Sequence, residues 1–294
     1  MKTQPLALPP SLWAATANPA AATPPLAQDK QVDVAIVGAG YTGLVTALHL
    51  ARNGVRVCVL DAGEPGWGAS GRNGGQVIPG LKHDPDDLRR LFGGDQAERL
   101  IEVAGGAADE VFELIRRYDI DCEATRQGWI QPAASPAALR AIEKRAEQWR
   151  RHGVPVELLD QRSVAQRIGS QDYLGAWVDP RAGSVQPLSY VRGLARAALS
   201  EGAAIHGHNR VTALRRHGDG WQLTTDTQHS VTAEKVILAT NGYTDDLWPR
   251  LRQTVIAANS FIVATKPLPD HLRRSVLPNG EVCSDARRLL LYFK

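Results

Sequence analysis

The sequence VDVAIVGAGYTG occupies residues 32–43 and predicts the fold of the chain around it. Its first six residues form a short run that is mostly β-branched and apolar, which is typical of a buried parallel strand that ends at a glycine. Apolar residues from Leu44 to Ala51 follow at helical spacing, and a second apolar run at 55–60 predicts a second strand. Strand, helix and strand together predict a βαβ unit with the glycine turn at its first corner.

Each glycine in this turn has a steric purpose in such a unit. Gly38 permits the tight turn out of the strand, and Gly40 lets a pyrophosphate approach the backbone. Gly43 lets the helix pack close to the sheet. The three glycines in this context therefore predict a phosphate-bearing ligand.

A dinucleotide is the ligand that the wider context favours. The first helical turn begins with Tyr41 and Thr42 and offers backbone N–H groups and the positive end of the helix dipole to phosphates. Asp61 follows the second strand, about 20 residues after the turn, and can accept hydrogen bonds from a ribose diol. The alternative is a glycine turn that only packs a helix, with an acid that caps a strand.

A second glycine-rich stretch, GWGASGRNGGQ, occupies residues 66–76. Glycine weakens a loop unless the backbone needs a positive φ or a close approach, so this loop predicts contact with a ligand. Arg72 could face a phosphate or the polar edge of a flavin. Ser70 could donate a hydrogen bond, and the absence of a G-x-S-x-G sequence around it excludes a nucleophile elbow. A flexible surface loop is the alternative.

Taken together, the two stretches resemble the D-amino-acid-oxidase-type superfamily of FAD-dependent oxidoreductases. The most specific element is the string ASGRNGG at residues 69–75. Within the superfamily the chain is most similar to the gamma-glutamylputrescine oxidoreductase group, and the resemblance covers nearly the whole chain. Further matching stretches lie at residues 11–18, 120–122, 183–188 and 236–243.

The resemblance implies an α/β fold in which a Rossmann-like FAD-binding domain is interleaved with an α+β substrate domain. It also implies that FAD is bound non-covalently, because residues 66–76 contain no histidine or cysteine that could bond to the flavin. The second loop, a backbone near the adenine and a turn that closes over the cofactor are its expected contacts. These positions are Ala69, Ser70, Gly71, Arg72, Asn73, Gly74, Gly75, Gln76, Val211, Thr240, Asn241 and Gly242.

The chemistry that the resemblance implies is oxidation of a primary or secondary amine. A hydride passes to flavin N5, the resulting imine hydrolyses to an aldehyde, and dioxygen reoxidises the flavin. No strong side-chain base is required, so the catalytic residues stay unassigned. His83, Arg126, Trp129 and Tyr292 are candidates for the substrate side, with surface exposure as the alternative for the histidine and packing for the aromatic residues.

Two features depart from the pattern of the superfamily. Asp61 stands where relatives usually have glutamate, which predicts a longer or water-bridged ribose contact. The chain also ends at Lys294, inside a predicted strand, so we expect a C-terminally truncated substrate domain. The predicted domains are an extended N-terminal arm at 1–30, an FAD-binding domain at 31–80 and 184–245, and a substrate domain at 81–183 and 246–294.

Composition limits the other classes of function. The net charge of +3 comes from 34 Lys and Arg against 31 Asp and Glu, a balance that argues against nucleic acid as a partner. The three cysteines have no metal-ligand spacing and fit a reducing cytoplasm. We expect no signal peptide and no transmembrane helix, because residues 1–29 lack an unbroken apolar run and no apolar span reaches 18 residues.

Two alternatives to an active FAD enzyme stay open from the sequence. The end of the chain favours a catalytically incomplete fragment that binds FAD. Asp61 is suited to the ribose of NAD and would equally serve an NAD-dependent dehydrogenase.

Periodicity and turn residues predict the remaining elements. Helices are expected over 86–118 with a break near Gly93, over 135–151 and over 187–200. The expected β elements are a strand pair within 120–133, strands and turns over 172–186, a strand at 203–205, a hairpin at 211–225, a strand at 236–239 and the start of an antiparallel sheet over 254–265.

Overall fold

The computed structural model describes residues 6–294, which divide into two compact units. The first unit consists of the chain up to Asn73, together with Tyr118–Cys122 and Gln186–Ile262. The second unit consists of Gly74–Arg117, Glu123–Val185 and Val263–Lys294. Both units are therefore assembled from separated stretches of sequence.

The elements are numbered in chain order. The helices are α1 (Leu12–Thr16), α2 (Tyr41–Arg52), α3 (Pro85–Phe92), α4 (Gly94–Arg117), α5 (Pro136–Arg151), α6 (Gln161–Ile168), α7 (Pro187–Ser200) and α8 (Asp270–Arg273). The strands are β1 (Lys30–Val37), β2 (Val57–Leu60), β3 (Gln76–Val77), β4 (Trp129–Ala133), β5 (Glu157–Asp160), β6 (Gly175–Asp179), β7 (Gly183–Ser184), β8 (Ala204–His206), β9 (Val211–His217), β10 (Gly220–Thr225), β11 (Ser230–Leu238), β12 (Val282–Ser284) and β13 (Tyr292–Phe293).

A six-stranded sheet with the order β8-β2-β1-β11-β10-β9 forms the centre of the first unit. Its first four strands are parallel, with Val37 opposite Leu60 on one side and Leu238 on the other, whereas β10 and β9 form an antiparallel hairpin. Strands β1 and β2 are largely buried on both faces, as expected of a parallel sheet covered by helices. Helices α2 and α7 pack against each other and supply the crossovers that precede β2 and β8.

A five-stranded sheet with the order β13-β12-β4-β6-β5 forms the centre of the second unit. One face packs against α3, α4 and α5 through Trp129, Trp149 and Trp177. The other face carries Ile130 and Val178, which belong to a separate apolar cluster with Tyr173 and residues of α6. The short strands β3 and β7 pair with each other outside this sheet.

The structure confirms the α/β fold and most of the expected elements. The helix over 86–118 is two helices that meet at Gly93, and Ser135 caps α5 by accepting a hydrogen bond from Ala138 N at 3.2 Å. The strands of the parallel sheet and the hairpin at 211–225 also form where the sequence places them.

Two expectations on strands were wrong. The segment 120–133 contains one regular strand, β4, and its antiparallel partner is β6, which lies about 50 residues further along the chain. In the described part of the chain, residues 254–265 contain no strand, although their loose alternation favoured one. Alternation indicates only which face a strand would present; a strand also needs a neighbour that accepts its backbone hydrogen bonds.

The described residues were also searched for membrane-spanning helices and for metal sites. Within 6–294, no helix combines the length and the apolar character needed to cross a bilayer. In the same part of the chain, no three His, Cys, Asp or Glu side chains are grouped so that they could hold a metal ion.

Candidate functional site

A cavity of about 270 Å³ lies in the first unit, at the carboxyl ends of β1, β2 and β11. This edge of a parallel sheet is where open α/β folds bind ligands. Several residues that the sequence singled out line the cavity. They are Gly38, Gly40, Asp61, Ala69, Ser70, Val211, Thr240 and Asn241.

The first glycine turn has no room for side chains. Gly38 has a φ of +111°, and a Cβ built on it would lie 2.5 Å from the carbonyl oxygen of Ala239. A Cβ on Gly43 would lie 1.9 Å from the carbonyl oxygen of Gly38. Both positions therefore require glycine if β1, α2 and the end of β11 are to keep this spacing.

The N-terminus of α2 opens onto the same cavity. Its cap residue, Gly40, has no side chain, and a Cβ there would lie 2.8 Å from Ser70 Oγ. Tyr41 N donates to Ser70 Oγ at 3.0 Å, which ties the second glycine-rich loop to the first helical turn. Thr42 is exposed in the same turn. A helix of twelve residues thus directs its positive dipole end toward the cavity.

Asp61 joins the two turns that border the cavity. Its Oδ2 accepts a hydrogen bond from Ala39 N at 2.6 Å, and its Oδ1 accepts one from Gly63 N at 2.8 Å. Burial raises the pKa of this carboxyl above its ordinary value, although the two backbone hydrogen bonds oppose the shift. A carboxylate oxygen has two lone pairs, so each oxygen can still accept a hydroxyl hydrogen from a ligand in the cavity.

Within the first unit, the second glycine-rich loop is held by its own side chains. Arg72 donates to the carbonyl oxygen of Trp67, and its guanidinium lies 4.8 Å from the centre of the Trp67 ring. Asn73 Nδ2 donates to Ser70 O at 3.0 Å and to Tyr41 Oη at 3.2 Å. Burial raises the pKa of Tyr41 to about 12. Arg72 and Asn73 do not line the cavity; they shape the loop that does.

The remaining glycines and the glutamine of this loop have packing roles. A Cβ on Gly71 would lie 2.1 Å from the carbonyl oxygen of Gly66, so the loop closes tightly on itself. Gly74 and the two residues after it belong to the second unit. There Gly75 O accepts from Val185 N at 2.8 Å, and Gln76 Nε2 donates to Cys283 O at 3.0 Å. Their predicted contact with a cofactor stays a prediction.

A third turn borders the cavity where β11 ends. Ala239 N donates to Val37 O at 2.8 Å, which continues the pairing of β11 with β1 beyond the strand. Asn241 then adopts a φ of +48°, and the hydroxyl oxygens of Thr240 and Thr244 lie 2.7 Å apart. Gly242 is exposed and lies outside the cavity lining.

Sequence reasoning missed several residues of the lining. Trp67 and Tyr243 pack edge to face with their ring centres 5.6 Å apart. Arg210 Nη2 lies 2.8 Å from Asp245 Oδ2, and both residues line the cavity with Leu6. Trp67 stands inside the loop that the sequence singled out, so its type and position were a usable signal. Tyr243 likewise ends the matching stretch at residues 236–243. Arg210, Asp245 and Leu6 have no local signal, because only the tertiary fold brings them to the cavity.

The weaker candidates for the substrate side have structural roles in the second unit. Trp129 is buried, donates from Nε1 to Ser284 Oγ at 2.7 Å, and packs on Trp177. Arg126 pairs with Asp109 and lies over the ring of Phe112. His83 is exposed, and Tyr292 is half-buried on β13. These contacts favour the packing and surface alternatives.

Comparisons with known proteins agree with this geometry. The family model described as DAO, FAD dependent oxidoreductase, matches residues 33–293. Over 286 residues the chain is 35% identical to the gamma-glutamylputrescine oxidoreductase of Escherichia coli K12, covering 97% of this chain and 66% of that protein. It is 34% identical to the probable oxidoreductase OrdL of Haemophilus influenzae, covering 92% of this chain and 64% of that protein. The chain thus spans about two thirds of the length of these curated relatives.

Solved structures show the same fold. The glycine oxidase of Geobacillus kaustophilus superposes with a TM-score of 0.63 at 24% identity, over 76% of this chain and 59% of that chain. NikD, an amino acid oxidase of nikkomycin biosynthesis, superposes with a TM-score of 0.55 at 25% identity, over 74% of this chain and 53% of that chain. The resemblance found in the sequence is confirmed.

Proposed function

The chain belongs to the FAD-dependent oxidoreductase family, and on that premise we propose that it oxidises a primary or secondary amine of the gamma-glutamylputrescine kind. Support for the amine comes from a relative that is 35% identical and bears the name gamma-glutamylputrescine oxidoreductase. Support for the cofactor site comes from the cavity of the first unit. FAD is the cofactor of this family, which favours FAD over the NAD alternative.

One observation carries the proposed cofactor site: three kinds of group that suit a dinucleotide open onto one cavity. The glycine turn leaves no side chain between the cavity and the backbone at Gly38 and Gly40. The N-terminus of α2, whose cap residue Gly40 has no side chain, suits phosphates, and the Asp61 carboxyl group suits a ribose diol. The residues present therefore fit the ADP half of FAD.

FAD bound there would supply the two-electron acceptor for oxidation of an amine to an imine, which hydrolyses to an aldehyde, with dioxygen as the proposed final oxidant. The chain itself contributes binding and orientation. In this proposal Asp61 holds the ribose and the first turn of α2 holds the pyrophosphate. Ser70 and Asn73 fix the loop at residues 69–73 against that helical turn through Tyr41.

Non-covalent binding is part of the proposal. Residues 66–76, the loop that we expect to run along the cofactor toward the flavin ring, contain no histidine or cysteine, the residue types that could bond to a flavin. We therefore expect FAD to leave the protein intact when the protein unfolds.

A titration of the purified apoprotein with FAD tests the cofactor assignment. We expect saturable quenching of flavin fluorescence, full release of the flavin by denaturant, and no comparable effect of NADH. Asp33→Asn serves as the matched control for Asp61→Asn, because Asp33 lies on the same unit and pairs with Arg56 at the surface. Only Asp61→Asn should weaken FAD binding.

The amine is tested separately, by hydrogen peroxide release from gamma-glutamylputrescine, sarcosine and D-amino acids. We expect peroxide from the gamma-glutamylated amine above that from the other two. Bound FAD with no turnover of any amine would support the catalytically incomplete fragment. NADH binding by a protein that takes up no flavin would contradict the proposal.

A further inference from the structure

Residues 6–26, here called the N-terminal strap, lie along the first unit and are tied to it by side chains of α7 and its cap. Gln186 Nε2 donates to Trp13 O at 2.9 Å, and Gln186 is 1% exposed. Asn18 N donates to Ser189 Oγ at 3.0 Å, and Arg196 Nη1 donates to Pro19 O at 3.0 Å. These bonds fix the middle of the strap, at Trp13, Asn18 and Pro19.

The other end of the strap reaches the cavity. Leu6 is part of the cavity lining, and the next residue, Ala7, accepts a hydrogen bond through its carbonyl oxygen from Trp67 Nε1 at 2.9 Å. Trp67 also lines the cavity and packs edge to face on Tyr243. The indole thus links the strap to the loop that borders the cavity.

A single buried arginine supports both sides of this link. Arg192 Nη1 donates to Asn18 O at 2.5 Å, and Nη2 pairs with Glu64 Oε1 at 2.9 Å. The side chains of Arg192 and Glu64 are 10% and 18% exposed. Glu64 O in turn accepts a hydrogen bond from Trp67 N at 2.9 Å. The strap and the loop carrying Trp67 are therefore anchored to the same point on α7.

We infer that the strap and Trp67 form a removable wall of the FAD site, closed by the Trp67–Ala7 hydrogen bond, that slows release of the cofactor. The inference rests on the proposed function only in naming FAD as the occupant. The bond is the link that can open, because it joins an indole to a backbone carbonyl near the end of the strap. The anchors at Trp13 and Asn18 can remain in place while it opens.

The rate of FAD release tests the inference. Protein loaded with FAD is diluted into buffer, and the recovery of flavin fluorescence gives the dissociation rate. Trp67→Phe keeps an aromatic ring beside Tyr243 and removes the indole donor, so we expect release about fivefold faster, the usual effect of one hydrogen bond. Trp221→Phe is the matched control, since Trp221 lies on β10 outside the cavity lining and should leave the rate unchanged.

Deletion of residues 1–10 distinguishes the effect of losing the Trp67–Ala7 hydrogen bond from the effect of a smaller ring at position 67. The deletion removes Leu6 and Ala7 but keeps Ser11, whose Oγ caps α1 by accepting from Ala14 N at 3.1 Å. We expect FAD release at least as fast as in Trp67→Phe. Adding Trp67→Phe to the deleted chain should then accelerate release by less than about twofold, because the bond is already absent.

The outcomes are distinguishable. If FAD left the wild-type protein and all variants at the same rate, the inference that the strap and Trp67 slow its release would be wrong. The proposed function would still stand. Independent, multiplying effects of the deletion and of Trp67→Phe would also overturn it, because the two changes would then act at separate places. A wild-type chain that takes up no FAD would contradict the proposed function, and this inference with it.

Discussion

Asp61 of the first unit and three buried carboxylates of the second unit are compensated in different ways; Asp61 is half-buried beside the cavity, and Glu64 of its own unit pairs with Arg192. In the first unit, the Asp61 carboxylate accepts only backbone N–H hydrogen bonds, and none of the ion pairs within residues 6–294 includes it. In the second unit, three carboxylates that are at most 1% exposed each pair with an arginine. These pairs are Asp179 with Arg181 at 2.6 Å, Glu281 with Arg167 at 2.7 Å and Asp285 with Arg287 at 2.8 Å.

This difference separates a carboxylate that holds a fold together from one that can hold a ligand. A buried charge costs several kcal/mol unless it is paired, so the guanidinium groups of the second unit are needed for stability. A guanidinium beside Asp61 would compete with a ribose for the same lone pairs. The two N–H groups occupy one lone pair on each oxygen, so the Asp61 carboxyl group can accept further hydrogen bonds.

The strongest test of the comparison is Arg181→Met. This change keeps an apolar stem but leaves Asp179 buried without its partner, and it also removes the contact of the guanidinium with the Trp149 ring at 4.3 Å. We expect a loss of about 3 kcal/mol in the free energy of unfolding. Urea unfolding followed by tryptophan fluorescence measures it. A loss below about 1 kcal/mol would mean that Asp179 does not need its arginine partner for stability.

Asp61→Asn should act on the ligand and on the pH dependence. We expect FAD affinity to fall about tenfold, because an amide NH₂ group replaces one of the two acceptor oxygens. The folded protein holds the Asp61 proton at pH values where the unfolded chain has lost it, so this residue lowers stability as the pH rises from about 4 through its raised pKa.

The Asp61→Asn variant should therefore show a smaller decline of stability over that pH range.

The Asp33 carboxyl group affects the pH dependence of stability in the opposite direction. The hydrogen bonds from Arg56 lower the pKa of Asp33, so Asp33 contributes stability above its unfolded pKa that is lost as the pH falls. Unfolding curves of both variants between pH 3 and 7 check the two slopes. If the free energy of unfolding changed equally with pH in the wild type and in Asp61→Asn, the proposed effect of the Asp61 carboxyl group on stability would be contradicted.

Arg287→Met should have a smaller effect than Arg181→Met within the same unit. Arg287 is 38% exposed, against 15% for Arg181, and Asp285 keeps hydrogen bonds from Leu291 N at 3.1 Å and Arg287 N at 3.2 Å. We expect a loss of about 1 kcal/mol, after allowance for solvent screening. Thermal unfolding of the two variants side by side gives the ranking, and the reverse order would contradict it.

Arg116→Ala should have the smallest effect of all. Its partner, Glu113, lies three residues earlier on the exposed face of α4, and the arginine side chain is 74% exposed. Solvent screens such a pair, so the melting temperature should stay within measurement error of the wild type. A clear drop would show that exposure does not decide how much these pairs contribute.

The part of the site that is local in sequence could be predicted, and the part made by tertiary contact could not. Gly38, Gly40 and Asp61 belong to one βαβ unit, where each residue's position follows from the strand, the turn and the helix around it. Leu6 and Asp245 reach the same cavity from distant parts of the chain. Nothing in the residues beside them indicates that contact.

Arg72 shows a second limit. Its residue type favoured a phosphate or a flavin edge, and that contact stays a prediction; in the structure its guanidinium lies over the Trp67 ring. A cation near a predicted anion site has several possible partners, and an aromatic face a few residues away in the same loop is one of them.

The sequence analysis did not predict strand β5. Both ends of this strand are charged and only one of its four residues is buried, so it lacks the apolar pattern by which strands are recognised.

The pairing of β1 with β11 has a consequence for synthesis of the protein on the ribosome. Lys30 lies opposite Val231, so about 200 residues separate the two partners, which at about 5–20 residues per second emerge some 10–40 s apart. During that interval β1 can pair with β2 alone. Its other edge, with the apolar run at residues 34–37, stays open to any passing strand. Until β11 emerges, this unpaired edge exposes the nascent chain to aggregation.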